Sequence, residues 1–192
     1  HAQARDGRIA LRFENTGRAG AVFHVYDRLD LQRGPRRYTV EAGKSLQDAW
    51  PAWVDGARYD LWVLGPNGFH RHCCGRLDTA AQPPLEVTAD HAGPGAPLRL
   101  TVSNPGPQTR AFRVEANAYG YPAQAATALA AGEAISLSWD MARSAGWYDV
   151  TVRDESDPAY VRRLAGRIET GAPSTSDPAM GGEPVLRWTP AA

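Results

Sequence analysis

The chain has 192 residues, of which 43% are hydrophobic, 22% charged and 9% aromatic, the composition of a globular protein rather than a disordered tail or a fibre. Its 21 basic residues balance 21 acidic ones, so no net field steers it toward nucleic acid, a membrane surface or an acidic substrate. The length allows one domain or two of about 90–100 residues, and no apolar run approaches the ~18 residues of a membrane span.

In chain order, Ile9, Leu11 and Phe13 alternate with polar neighbours and predict a strand, closed by the turn Asn15-Thr16-Gly17. Arg28, Arg33, Arg36 and Arg37 gather around Gly34-Pro35, and Tyr38-Thr39-Val40 reads as the next strand, ending at Ala42-Gly43-Lys44. Tyr59, Leu61 and Val63 alternate up to the turn Gly65-Pro66-Asn67-Gly68, before Phe69-His70-Arg71-His72-Cys73-Cys74. Leu98, Leu100 and Val102 form a further strand pattern, then Ile135, Leu137 and Trp139, then Tyr148, Val150 and Val152. The Ala-rich stretch from Ala125 to Ala131 has helical propensity, but it aligns with Tyr38-Thr39-Val40 and is read as a strand.

A constant shift of 89 residues runs through these elements. It matches Asn15 with Asn104, Phe23 with Phe112, Trp50 with Trp139 and Tyr59-Asp60 with Tyr148-Asp149. After a two-residue insertion it resumes, pairing Phe69 with Tyr160, Arg71 with Arg162 and Gly75-Arg76 with Gly166-Arg167. The expected architecture is therefore all-β: two tandem immunoglobulin-like β-sandwiches of about seven strands, related by internal duplication. The first spans 1–78, a connector 79–84, the second 85–171, and 172–192 is a linker and tail. Leu85-Glu86-Val87-Thr88 finds no partner at that shift, so the first copy is expected to lack an opening strand. Either the preceding chain or the tail Pro184-Val185-Leu186-Arg187-Trp188 should then cover its edge. The repeated Trp is expected to fill each core, and each Tyr-Asp pair to combine a buried ring with an outward carboxylate.

Catalytic signatures are missing: the sequence holds no nucleophile elbow, His-Glu-x-x-His, Walker A or dinucleotide fingerprint. No catalytic residue and no cofactor are expected. On a strand, His70, His72 and Cys74 would share a face and could begin a zinc or copper site, although no fourth ligand is evident. Cys73 and Cys74 exclude a long-range disulfide and leave a strained vicinal one conceivable. The guanidiniums of Arg28, Arg33, Arg36 and Arg37 could hold a lipid phosphate, or form a loop balanced by Asp27 and Asp30. Tyr119 and Tyr121, in the matching region, could lie at a lipid interface or stack on a sugar, or simply pack the domain. Asp154-Glu155-Ser156-Asp157 is read as a hairpin tip in preference to a calcium site. The Arg-rich composition, 20 Arg against Lys44 alone, suggests a GC-rich bacterial gene. The start at His1-Ala2-Gln3, without an initiator Met, suggests a piece of a longer protein.

The run from Arg58 to Arg71, preceded by Val22-Phe23-His24-Val25-Tyr26 and by Arg37 to Lys44, resembles the C-terminal domain of bacterial phosphocholine-preferring phospholipases C. That family carries the domain twice in tandem at its C-terminus. The resemblance implies a parent that hydrolyses phosphatidylcholine or sphingomyelin to diglyceride or ceramide plus phosphocholine, through an upstream domain that would be this chain's partner. It also implies export to the periplasm or the exterior, often by the twin-arginine route. The chain itself is expected to be a non-catalytic, monomeric accessory region that supports the catalytic domain or meets a membrane. The alternative is a carbohydrate- or surface-binding sandwich module.

Overall fold

Alternating side chains need a core on one face only, and the strands supply it twice. In the computed structural model residues 1–5, 7–52, 57–77, 83–93, 95–170, 173 and 175–181 are described. The first half contributes β1 (Ala2–Arg5), β2 (Arg8–Glu14), β3 (Ala21–Asp27), β4 (Arg36–Val40), β5 (Ser45–Pro51), β6 (Arg58–Leu64) and β7 (His70–Arg76). The second contributes β8 (Glu86–Asp90), β9 (Leu98–Ser103), β10 (Arg110–Ala116), β11 (Gln124–Leu129), β12 (Ala134–Trp139), β13 (Trp147–Asp154) and β14 (Asp157–Arg167). The remaining regular elements among the described residues are short 3-10 turns.

These strands form an eight-stranded antiparallel sheet, ordered β11-β10-β13-β14-β7-β6-β3-β4, and two three-stranded sheets, β1-β2-β5 and β12-β9-β8. Each small sheet closes a core against its own half of the large one. Ile9, Leu11 and Phe13 meet Val25, Trp50 and Leu61 in one cluster. Leu98, Leu100 and Val102 meet Val114, Trp139 and Val150 in the other. Trp50 and Trp139 are both buried, as expected. The Ala-rich segment is β11, paired along β10. There the ladder hydrogen bonds and the buried Leu129 override helical propensity.

One expectation fails. The first half does not lack an opening strand, because β1 pairs with β2 from Ala2↔Leu11 to Arg5↔Arg8. The β1–β2 connection is shorter than the one between β8 and β9, so a constant shift of 89 places the partner of β8 before the chain begins. The tail 184–188, the other candidate for that edge, lies outside the described residues.

The corner between β2 and β3 depends on Asn15, and that between β9 and β10 on Asn104. The Asn104 amide donates to the carbonyls of Gln108 (2.7 Å), Leu129 and Ala130 (3.1 Å each) and accepts from Gly106 N. Asn15 repeats this with the Ala19 and Val40 carbonyls and Gly17 N. Each short amide thus satisfies backbone groups that the strand leaves unpaired as it crosses between sheets.

The halves join where β7 pairs with β14, with His72 opposite Arg163. The sequence correspondence equates those two residues, so the strands meet about their own counterparts. Inward from the sheet, Arg71 donates to Ala165 O (2.7 Å) and Tyr148 Oη (2.8 Å). Arg162 donates to Cys74 O (3.0 Å) and Tyr59 Oη (2.6 Å). Each guanidinium therefore reaches the other half's tyrosine. Arg162 is buried and also lies over the Tyr160 ring, 4.5 Å from its centroid, which compensates part of its lost hydration. A Cβ on Gly75 would stand 2.6 Å from Tyr59 Oη, and one on Gly166 would stand 3.1 Å from Tyr148 Oη.

Replacing Asn104 by Ala should destabilise the chain by about 2–3 kcal/mol, because buried carbonyls and an N–H lose their partners; urea denaturation measures it. Tyr59→Phe should cost about 2 kcal/mol and Tyr148→Phe about half that, because Arg162 is buried and Arg71 only half-buried. Equal losses in paired melts would contradict that ranking.

Candidate functional site

The face of the large sheet that points away from both cores carries most of the chain's chemistry. In the turn between β6 and β7, Asn67 and Gly68 take positive φ (52° and 73°). Gly65 N donates to Phe69 O and Phe69 N to Pro66 O. This closure sets the register: Asp60 stands opposite Cys74, Trp62 opposite His72 and Leu64 opposite His70. Alternation then puts Asp60, His72 and Cys74 on the outward face, with their ligand atoms all within 4.8 Å of one another.

His72 Nε2 lies 2.7 Å from Asp60 Oδ1. Arg28 Nη1 donates to Asp60 Oδ2 (3.0 Å) and lies 3.3 Å from His72 Nε2, while its guanidinium stacks 4.4 Å from the Trp62 centroid. Burial works against the ionised Asp60, but the His72 hydrogen bond and the His72 and Arg28 charges outweigh it and hold the carboxyl below its usual range. Burial and the Asp60 charge push the Cys74 thiol up, so it lacks the thiolate character of an activated nucleophile. No hydrogen bond joins it to His72 among the described residues. The set offers one oxygen, one nitrogen and one sulfur donor.

The structure keeps His72 and Cys74 together but separates His70, whose ring and that of His72 each pack edge-on against Trp62, at 6.0 and 6.2 Å. His70 Nε2 is buried with no hydrogen-bond partner among the described residues, and burial, together with the Arg163 charge, pulls this imidazole down to about 4. The member of the cluster that sequence reasoning missed is Asp60, read there only as an outward carboxylate. The β6–β7 turn is the signal that would have placed it. A vicinal disulfide does not form: both thiols are free, Cys73 in the core and Cys74 on the outward face.

The arginines expected to cluster do not act together. Arg28 is held at Asp60. Arg36 donates to Asp48 Oδ2 (2.9 Å) and stacks 4.1 Å from the Trp50 centroid. Arg33 and Arg37 are exposed and have no acidic partner among the described residues. Tyr119 and Tyr121 lie elsewhere, because the strand directions send the β3–β4 and β10–β11 loops to opposite ends of the large sheet. Tyr119 Oη donates to Asp177 Oδ1 (2.8 Å), and Tyr121 Oη bonds Ser144 and donates to Trp147 O. Asp154 to Asp157 form a hairpin, with Asp154 buried against Arg110 and Glu155 paired with Arg113.

A cavity of about 340 Å³ lies over the inner side of the β7–β14 junction, between β1 and β8, and is lined by Arg71, Cys73, Arg162 and Leu164 among others. Arg71 and Arg162 are engaged there by Tyr59, Tyr148 and strand carbonyls.

A sequence profile for the family described as "Bacterial phospholipase C, C-terminal domain" matches residues 1–76 and 80–167, nearly the whole chain. The chain belongs to that family. Among its relatives, the "Non-hemolytic phospholipase C" of Burkholderia pseudomallei is 43% identical over 178 residues, covering 90% of this chain and 25% of that protein. The "Non-hemolytic phospholipase C" of Pseudomonas aeruginosa is 37% identical over 187 residues, 94% of this chain and 27% of the relative. The same organism's "Hemolytic phospholipase C" is 38% identical over 181 residues, covering 85% of this chain and 24% of that protein. This phospholipase C C-terminal domain chain thus spans about a quarter of each relative's length.

Within it, Asp48 ties Arg36 to Tyr38, whose hydroxyl accepts from Trp50 Nε1 (3.0 Å). Partial burial opposes the Asp48 charge, but these donors hold its carboxyl below the ordinary value. A carboxyl depressed on folding contributes stability above its unfolded pKa and loses it as pH falls through the folded one. Asp48→Asn should therefore cost about 1 kcal/mol at neutral pH. Its melting-temperature deficit should shrink in acid, below the ordinary aspartate range; a constant deficit would contradict the assignment.

Proposed function

We propose that this chain is the duplicated accessory region of an exported bacterial phospholipase C, hydrolysing nothing itself and serving a catalytic domain that precedes it. The observation that carries this reading is the family match along nearly the whole chain, set against relatives about four times longer. The parent would cleave phosphatidylcholine or sphingomyelin to diglyceride or ceramide and phosphocholine. Duplication is supported by the repeated strand order, the two asparagine corners and the reciprocal Arg71–Tyr148 and Arg162–Tyr59 contacts.

The region's further role in this reading is to hold the enzyme at its lipid. Leu29 and Leu31, 36% and 60% exposed, project from the β3–β4 loop, with the exposed Arg33 and Arg37 beside them. Aliphatic side chains next to guanidiniums suit a headgroup boundary, where the chains enter and the cations meet phosphate. The sugar-binding alternative draws less support, since Tyr119 and Tyr121 spend their hydroxyls within the chain.

Sedimentation with phosphatidylcholine vesicles containing an anionic lipid, at low salt, tests both parts. The chain should pellet with the vesicles and release no phosphocholine from them. Leu31→Asp with Arg33→Glu should reduce the bound fraction at least about fivefold while leaving the melting temperature within a few degrees. Phosphocholine release would refute the accessory role, and unchanged binding by the variant would refute the loop's part in it.

A further inference from the structure

The β6–β7 hairpin carries an unassigned set of donors that the accessory role does not use. His72 and Cys74 are two apart on β7 and so share its outward face, while Asp60 stands directly across from Cys74 on β6. Two ligands at strand spacing and a third from the neighbouring strand converge without any loop having to order, because both strands lie inside the large sheet. The side chains of Asp60 and His72 are each 17% exposed, so the cluster is sheltered yet reachable. We propose that Asp60, His72 and Cys74 form a mononuclear site for a divalent transition metal of the zinc class, taking the position that the Arg28 guanidinium now holds.

Mixed oxygen, nitrogen and sulfur donors favour zinc and its neighbours over calcium or magnesium, which prefer all-oxygen shells. Three protein ligands leave a fourth tetrahedral position for water. The site already attracts positive charge: Arg28 Nη1 stands 3.3 and 3.0 Å from the two Asp60 oxygens and 3.3 Å from His72 Nε2. Arg28 can yield that place, since its side chain is 36% exposed and stays stacked on Trp62. On binding, Cys74 gives its thiol proton to solvent, the neutral His72 ring carries its proton on Nδ1 so that Nε2 is free to ligate, and the His72–Asp60 hydrogen bond is replaced by two metal bonds.

The other half shows the same sheet position closed to metal. Asp149 there is held by Arg163, whose Nε donates to Oδ1 at 2.8 Å, and Ala165 stands where Cys74 does. Where one half has a guanidinium bonded to its carboxylate through two nitrogens and a methyl group, the other has an imidazole and a thiol. The chain should therefore hold one such site and not two.

Cobalt(II) titrated into the chelator-treated chain is the test. The expected result is saturable uptake of a single equivalent, with a thiolate-to-cobalt charge-transfer band in the near ultraviolet and quenching of Trp62 fluorescence. Zinc should displace it. Cys74→Ser should abolish the band, and His72→Ala should weaken binding at least about tenfold. Arg28→Ala should tighten binding roughly threefold or more by removing the competing cation, a direction that damage to the fold would not produce. The proposal is overturned if the band is absent, if it survives in Cys74→Ser, or if Arg28→Ala binds no tighter than the original chain.

Discussion

The structure depends on an exchange of guanidiniums across the β7–β14 seam. Arg71 and Arg162 carry guanidiniums with donors only, and both lie on the inner side of the sheet, Arg162 buried and Arg71 half-buried. Neither has a carboxylate among the partners that hold it. Strand carbonyls, a tyrosine hydroxyl and aromatic faces from both halves hold them instead. Separating the halves would return Tyr59 and Tyr148 to water and leave Arg71 only the His70 carbonyl and Arg162 only the Val161 carbonyl as acceptors. The seam thereby ties a tyrosine of each core to an arginine of the other half. It also accounts for Gly75 and Gly166, which leave room for the tyrosines that the arginines require.

Much of the scaffold was legible in the sequence because alternation and the 89-residue correspondence are local or additive signals. Strand positions, buried tryptophans and the overriding of helical propensity at Ala125–Leu129 all follow from them. The continuous large sheet does not, since pairing between the last strands of the two halves leaves no periodicity of its own. Arg71 and Arg162 were visible as matched residues, but their role exists only once the seam brings each against the other half's tyrosine. The opening strand was missed for a simpler reason: a change in hairpin length breaks a constant shift. Asn15 and Asn104 read as turn residues, whereas their amides pin corners by reaching carbonyls 25 residues away.

The outward face shows how far equivalent positions can diverge while the inward face is kept. Asp60 and Asp149 occupy matching places in the large sheet, yet one meets His72, Cys74 and Arg28, and the other a guanidinium that bonds it through two nitrogens. Inward substitutions must preserve two cores and the seam. Outward ones answer only to solvent and to each other. Individuality between the halves therefore collects on the side of the sheet that packing does not govern.

The antiparallel meeting of β7 and β14 has a geometric effect on the two loops. It sends the β3–β4 loop and the β10–β11 loop in opposite directions. A flat object touching one pole of the molecule leaves the other pole pointing away from it, so the chain cannot grip one plane with both loops. Its two ends are unlike: Leu31 and cations with no acidic partner among the described residues tip one, and tyrosines bonded within the chain lie at the other.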